Sequence, residues 1–287
     1  MATLNGAGTG GSTAVQRKSI IVTGGASGIG LAITRHFAAE GHDIAVLDVN
    51  GAEGPSVVES IAKENPISKL TFSKCDVSSW QEQATVFKEV FNQHGGRLDI
   101  VMANAGISER GASDLVAVES AEPAQPRLGT VNVNLVGVMY SVKLAVHYMN
   151  KNPANDAISR GSIICTASNA GVYPFPIAPA YAATKAGVIG LVRSLARPYE
   201  KYKIQINALA PAVLETNIAP DKALFKNMIL TPFSTLTRGV SQFISDPSVT
   251  GAIAEIHGNS VTIRDPPNFV DEDSAKNLET FWNLGYA

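Results

Sequence analysis

Cysteine, aromatic residues, surplus charge of either sign and long apolar runs are all scarce in this chain. Two cysteines in 287 residues, Cys75 and Cys165, each close an apolar run. That excludes a disulfide-stapled scaffold and reads as strand thiols in a reducing compartment. Neither they nor the five histidines, His36, His42, His94, His147 and His257, fall at metal-ligand intervals, so no catalytic metal is expected. Lys and Arg number 23 against 25 Asp and Glu, a formal net charge of −2. With no basic cluster longer than Arg17-Lys18, nucleic acid is not an expected partner. The apolar runs, such as that over 187–192, fall far short of the roughly 18 residues that cross a bilayer, so no membrane span is expected. Residues 1–18 lack an apolar core of signal-peptide length. The expectation is a cytoplasmic protein with a flexible leader over 1–18.

What the chain does have is apolar material, 45% of its residues, enough for one or two sizeable cores. It is arranged as short β-branched runs alternating with helical periodicity. Strands are expected at Ser19–Thr23, Asp43–Asp48, Leu70–Cys75, Leu98–Met102, Ser162–Thr166, Ile204–Leu209 and Ala252–His257. Helices are expected at Ile29–Glu40, Val57–Lys63, Trp80–Gln93, Val131–Asn150 and Tyr181–Tyr202. Repeated β-α alternation requires right-handed crossovers with helices on both faces of a parallel sheet. The expected fold is therefore α/β: a single doubly wound, Rossmann-type domain over 19–287, with about seven parallel strands. Two connections, Ile107–Gly129 and Thr216–Thr250, exceed the usual length and start at the carboxyl ends of strands, where such sheets bind ligands. The second includes an expected substrate flap at about 217–249, and about 265–287 is expected to be a C-terminal tail.

The first strand runs into Thr23-Gly24-Gly-Ala-Ser27-Gly28-Ile29-Gly30, placing three glycines between a strand and a helix start. There, backbone N–H groups and the helix dipole can face a dinucleotide's phosphates. Asp48 ends the second strand, positioned to accept hydrogen bonds from both ribose hydroxyls. A carboxylate repels a 2′-phosphate, and neither Ser27 nor Val49-Asn50 offers a cation to receive one, so the expected cofactor is NAD, not NADP. Tyr181 and Lys185 lie four apart in a helical segment, hence on one face, where an ammonium favours the phenolate. Tyr199 and Lys203 repeat the spacing. Only the first pair has a hydroxyl thirteen residues upstream, Ser168 at the end of a strand; the second has Ala186.

Thr23-Gly24-x-x-x-Gly28-x-Gly30, Asn104-Ala105-Gly106, Asn134, Ser168 and Tyr181-x-x-x-Lys185 resemble the short-chain dehydrogenase/reductase family over about 18–218. The resemblance implies that Tyr181 is the acid/base, that Lys185 holds the nicotinamide ribose and lowers the tyrosine pKa, that Ser168 orients substrate and that Asn134 anchors a water of a proton relay. It also implies that Asp76, with Val77, meets the adenine, that Asn104 steadies the central sheet, and that Pro211 and Thr216 border the nicotinamide. The family's glycine after that proline is Ala212 here, a residue that resists positive φ. Within the family the chain is most similar to the 15-hydroxyprostaglandin dehydrogenase type and to fungal dehydrogenases that tailor hydrophobic metabolites.

The implied function is hydride exchange between NAD and a secondary alcohol or ketone. A nucleotide-sensing protein without turnover, or a non-redox enzyme, remains the alternative, because fold alone does not fix function. The stretch Ala219–Phe233 carries Leu224, Phe225, Met228, Ile229, Leu230 and Phe233 between Pro220 and Pro232. It reads as a flap with a greasy inner face, with Lys222 and Lys226 on an exposed side, so the expected substrate is small-molecule, bulky and mostly apolar. The helices at 131–150 and 181–202 resemble those through which family members pair, and Val142, Val146, Val188 and Leu191 are offered as apolar residues beyond what one sheet face needs. A homodimer or homotetramer is expected.

Overall fold

A computed structural model of the chain describes residues 17–109, 113–118, 122–153, 159–216, 218 and 222–285. Among the described residues, eight strands form one sheet in the order β3-β2-β1-β4-β5-β6-β7-β8. They are β1 (Ser19–Thr23), β2 (Asp43–Asp48), β3 (Lys69–Lys74), β4 (Ile100–Ala103), β5 (Gly161–Thr166), β6 (Ile204–Pro211), β7 (Ile253–His257) and β8 (Ser260–Arg264). The first seven pair in parallel. All but β3 among them are almost wholly buried, as parallel strands sandwiched by helices must be. The chain order reverses between β1 and β4, which opens a crevice at their carboxyl ends.

The helices are α1 (Gly28–Ala39), α2 (Gly54–Glu64), α3 (Trp80–Gln93), α4 (Gly129–Met149), α5 (Pro179–Glu200), α6 (Phe233–Ser245) and α7 (Glu272–Asn283). One core lies under α3, α4 and α5, with Phe87, Val142 and Val188 meeting Ile21, Val101 and Ile163 of the strands. The other lies under α1, α2 and α6, with Phe37, Ile61 and Phe243 meeting Ile20, Ile100 and Ile164. Helix α4 is long and apolar enough to cross a membrane by length and composition. Here it packs against the sheet, with Val138, Val142, Ala145 and Met149 buried beneath it.

Several expectations change. Strand β8 is antiparallel to β7, with His257 opposite Ser260 across a Gly258-Asn259 turn. Four of its five residues are exposed, so no burial pattern marked it. The expected tail holds α7, laid on α5 by Arg197, whose guanidinium meets Glu279 at 2.6 and 2.8 Å and lies 4.4 Å from the Trp282 ring. Arg17 and Lys18, assigned to the leader, are tied to the fold, Arg17 to Asp43 at 3.1 Å and the Lys18 carbonyl to the Asp43 N–H at 2.9 Å; residues 1–16 lie outside the described residues. Part of the expected flap is core: α6 buries Leu236, Val240 and Phe243. Ahead of it, Lys222–Asn227 is a 3-10 helix, while Ala219, Pro220, Asp221 and the side chains of Lys222 and Leu224 lie outside the described residues. Val142 and Val188 are fully buried in the chain's own core, and Val146 and Leu191 pack against it, so these four do not speak for an interface between subunits.

Candidate active site

The turn after β1 is shaped by close approach. Gly24 has φ +62, and a Cβ there would lie 2.9 Å from the Cα of Ala105; a Cβ on Gly30 would lie 2.0 Å from the Gly24 carbonyl oxygen. Only glycine fits either position. Gly28 has φ +50 and faces Thr216, whose Cβ would be 3.3 Å from a Cβ built on it. Thr216, on the chain beyond β6, is thus brought against the turn, closing a groove over it. Helix α1 starts at Gly28 from Ser27, which is extended and makes no side-chain cap, and its first turn holds no acidic residue. Its orphan N–H groups are therefore left for an anion, and the residues present fit a dinucleotide's phosphates.

Asp48, largely buried, accepts from the N–H of Ala26 at 3.1 Å and of Asn50 at 3.0 Å, so its carboxylate braces the glycine turn. Asp76 is held by Ser78, through the N–H at 2.9 Å and the hydroxyl at 2.7 Å. Val77 is buried where α4 passes: a Cβ on Gly137 would meet the Val77 carbonyl oxygen at 2.9 Å. Lys74 was missed as a cation. It pairs in register with Asp48, and its stem lies 3.0 Å from where Gly51 would carry a Cβ.

Asn104 stitches three strands at the crevice floor. Its N–H and that of Ala105 donate to the Thr23 hydroxyl at 2.9 and 3.1 Å, its side-chain amide donates to the Thr23 carbonyl at 3.0 Å, and its Oδ1 accepts from Thr166 at 3.1 Å. Beyond it, a Cβ on Gly106 would touch Asn134 Oδ1 at 3.3 Å and Lys185 Nζ at 3.5 Å. The two residues, 51 apart in sequence, thus converge on one backbone position.

Asn134 is fully buried in a π-helical turn, Asn132–Val136, within α4. Such turns interrupt the regular ladder and are frequent at functional sites. Its side chain accepts from the Ile107 N–H and donates to the Ile107 carbonyl, both at 2.8 Å, and reaches the Thr184 hydroxyl at 3.3 Å. Ser168, at the end of β5, accepts from the Ala170 N–H at 3.1 Å. Lys185 is buried, donates to the Thr166 carbonyl at 2.7 Å and lies 5.5 Å from the Tyr181 ring centroid. Burial lowers its pKa to about 8.

Burial pushes the Tyr181 pKa above the ordinary value, and the Ser168 hydroxyl opposes the rise. Lys203, the partner of Tyr199 in the repeated spacing, lies past the end of α5 with φ +56, so that pair does not share a helix face. Ala212 has no positive φ and donates to the Ile256 carbonyl at 2.8 Å, so the alanine after Pro211 sits in ordinary backbone. Sequence reasoning also missed Thr166, Thr184 and Glu109. Glu109 accepts from the Tyr181 N–H at 3.0 Å. Threonine and glutamate are common, and no spacing marks them.

A family model described as short chain dehydrogenase matches residues 18–226. The chain belongs to the short-chain dehydrogenase family. It is 38% identical over 204 residues to a short-chain dehydrogenase/reductase of Penicillium roqueforti, a match covering 71% of this chain and 56% of that protein. The chain thus spans little more than half the length of that relative. An NADP-dependent dehydrogenase of Cochliobolus lunatus is 34% identical over 216 residues, covering 72% and 74% of the two chains. The NAD-dependent 15-hydroxyprostaglandin dehydrogenase of Rattus norvegicus is 29% identical over 262 residues, covering 84% and 91%. Among solved structures, levodione reductase shares the fold, with a TM-score of 0.71 at 24% identity over 84% of this chain and 96% of that one. Relatives named for NADP and for NAD both match this chain.

Proposed function

We propose that the protein exchanges a hydride between NAD and a bulky, mostly apolar secondary alcohol or ketone. The observation that carries the reading is a chain of neighbours: Asn134 and Lys185 meet beside Gly106, the Lys185 ammonium lies 5.5 Å from the Tyr181 ring centroid, and Ser168 faces Tyr181. NAD, when bound, supplies the hydride chemistry. The glycine turn and the uncapped start of α1 hold the pyrophosphate, Asp48 the adenosine ribose, Asp76 and Val77 the adenine, and Asn104, Ala105, Gly106, Pro211 and Thr216 border the nicotinamide half.

Tyr181 Oη passes the proton to or from the substrate oxygen, and the Ser168 hydroxyl orients that oxygen. Lys185 has two N–H groups beyond the one given to Thr166, and these fit ribose hydroxyls. Burial raises Tyr181, and Lys185 together with an oxidised nicotinamide would supply the positive charge that brings its pKa toward the working range. Asn134's side chain is committed to Ile107 and Thr184, which leaves its main-chain carbonyl as the atom that holds a relay water.

The apolar substrate is supported by the segments that leave β4, β5 and β6. Each exposes large apolar side chains: Ile107, Leu115, Val116 and Val118; Tyr173 and Ile177; Ile218, Met228, Ile229 and Leu230. Arg127, at the far end of the first segment, is neutralised by Asp114 at 2.8 Å and gives no free anion clamp. A homodimer or homotetramer in the cytoplasm completes the reading, and light scattering at micromolar concentration tests the assembly. Turnover is tested by following NADH absorbance with a panel of lipophilic secondary alcohols: activity rising with apolar size supports the substrate class, and a preference for polyols or short hydroxy acids contradicts it.

A further inference from the structure

Helix α5 begins without a cap of its own. Its N-cap residue is Ala178, which has no side-chain acceptor, and Pro179 follows, which has no N–H. The N–H of Tyr181 is one of the donors such a start leaves unsatisfied. Its partner comes from a different element, the segment leaving β4: Glu109 Oε2 accepts it at 3.0 Å across 72 residues of sequence. The other oxygen, Oε1, takes the hydroxyl of Ser113, which is buried and in turn accepts from the Leu115 N–H at 3.3 Å. The carbonyl of Ser113 receives the N–H groups of Val116 and Ala117 at 3.0 and 3.2 Å. One carboxylate therefore joins the first turn of the helix that carries Tyr181 to the turn that displays Leu115 and Val116.

We propose that Glu109 is a positioning residue: it pins Tyr181 to the substrate-facing segment after β4, so that the seat of the phenol and the conformation of that segment are set together. The proposal rests on the reading of Tyr181 as the acid/base. Glu109 has no step in the chemistry. It caps the helix in place of Ala178, and a carboxylate is favoured there by the helix dipole. Without it, the first turn of α5 loses the bond nearest the phenol, and small displacements of an acid/base cost turnover steeply.

The test compares Glu109→Ala with Glu109→Gln in the full chain. Glutamine keeps an oxygen for the Tyr181 N–H and an amide that donates to Ser113, so it restores the pin. Glu109→Ala is expected to lower kcat by about tenfold or more and raise KM for large alcohols, with NAD affinity within about twofold of wild type. Amide hydrogen exchange at Tyr181 should quicken by about tenfold or more in the alanine variant, and Glu109→Gln should stay near wild type in every measure. Should the alanine variant fail to fold, Glu109→Asp, one methylene too short to span both partners, is expected to give the same pattern. Unchanged Tyr181 exchange, or unchanged kcat with faster exchange, would overturn the proposal. Wild type that turns over no alcohol, yet shows Glu109-dependent exchange, would defeat the functional reading while leaving the pin itself in place.

Discussion

The ammonium of Lys185 donates to the main-chain carbonyl of Thr166 at 2.7 Å, in a site that burial makes hostile to charge. Its pKa is lowered from 10.5 to about 8, so holding it protonated at neutral pH costs on the order of 3 kcal/mol. Between pH 8 and about 10 the unfolded chain keeps a proton that the folded chain sheds, so stability gains from this group as pH rises across that window. The buried Cys75 and Cys165 thiols, pushed up to about 12, act the other way, so the denaturant-measured stability of wild type relative to Lys185→Met, rather than that of wild type alone, should rise with pH across the window. The same substitution should weaken both NAD binding and turnover, because the ammonium is assigned to both. Equal pH dependence in the two proteins would show that Lys185 is not the strained group.

Asp48 predicts that NAD binds at least about tenfold more tightly than NADP, since a carboxylate and a phosphate at close range repel by more than about 1 kcal/mol. Lys74 acts in the other direction, as the cation paired in register with Asp48 on the neighbouring strand. Asp48→Asn should narrow the preference and Lys74→Ala should widen it, both read by titrating NADH and NADPH fluorescence. Equal affinities in wild type would remove Asp48 from its role.

Gly28→Ala is expected to lower NAD affinity by about tenfold or more and to destabilise the chain by about 1–2 kcal/mol. The methyl meets Thr216 at 3.3 Å and the backbone sits at φ +50. Thr216→Gly in the same chain relieves the contact but not the dihedral, so it should restore affinity only in part. An unaffected single variant would mean that the turn does not hold the phosphates.

Phe225 is half-buried in the 3-10 segment Lys222–Asn227, and Met228, just past it, is 45% exposed. Truncating either to Ala should lower kcat/KM for large apolar alcohols more than for small ones, by about threefold to tenfold if each contributes about 1 kcal/mol of apolar contact. A uniform loss across substrate sizes would count against a flap.

How far these features were legible in the sequence depends on what each one rests on. Strands β1, β2 and β4 to β7 are buried on both faces, so apolar runs gave them away to within a residue or two at most ends. Strand β8 lies exposed at the sheet edge and α7 buries none of its residues, yet Val261 and Ile263 alternate with polar neighbours, and Ala275, Leu278 and Trp282 fall at helical spacing, signals as short and as weak as the burial they serve. The Gly258-Asn259 pair between two β-branched runs was a hairpin cue that went unread. In the site, Gly24, Gly28, Ser168, Tyr181 and Lys185 stood out because residue type and spacing are both constrained. Glu109 acts through a main-chain N–H contributed by a residue 72 positions away, a relation that only the folded chain displays. The burial that raises the Tyr181 pKa was equally hidden, because it belongs to the folded chain and not to the spacing of residues.

The central claim is that Tyr181 carries the proton in hydride exchange between NAD and an apolar secondary alcohol. The most direct measurement is NADH formation, followed by its absorbance, for wild type and Tyr181→Phe on the same alcohol, with NAD affinity measured in parallel. The account predicts turnover in wild type and a fall in kcat of about a thousandfold or more in Tyr181→Phe, with NAD affinity nearly unchanged, since the ring is kept and only the proton carrier is lost. Turnover by Tyr181→Phe close to that of wild type would contradict it.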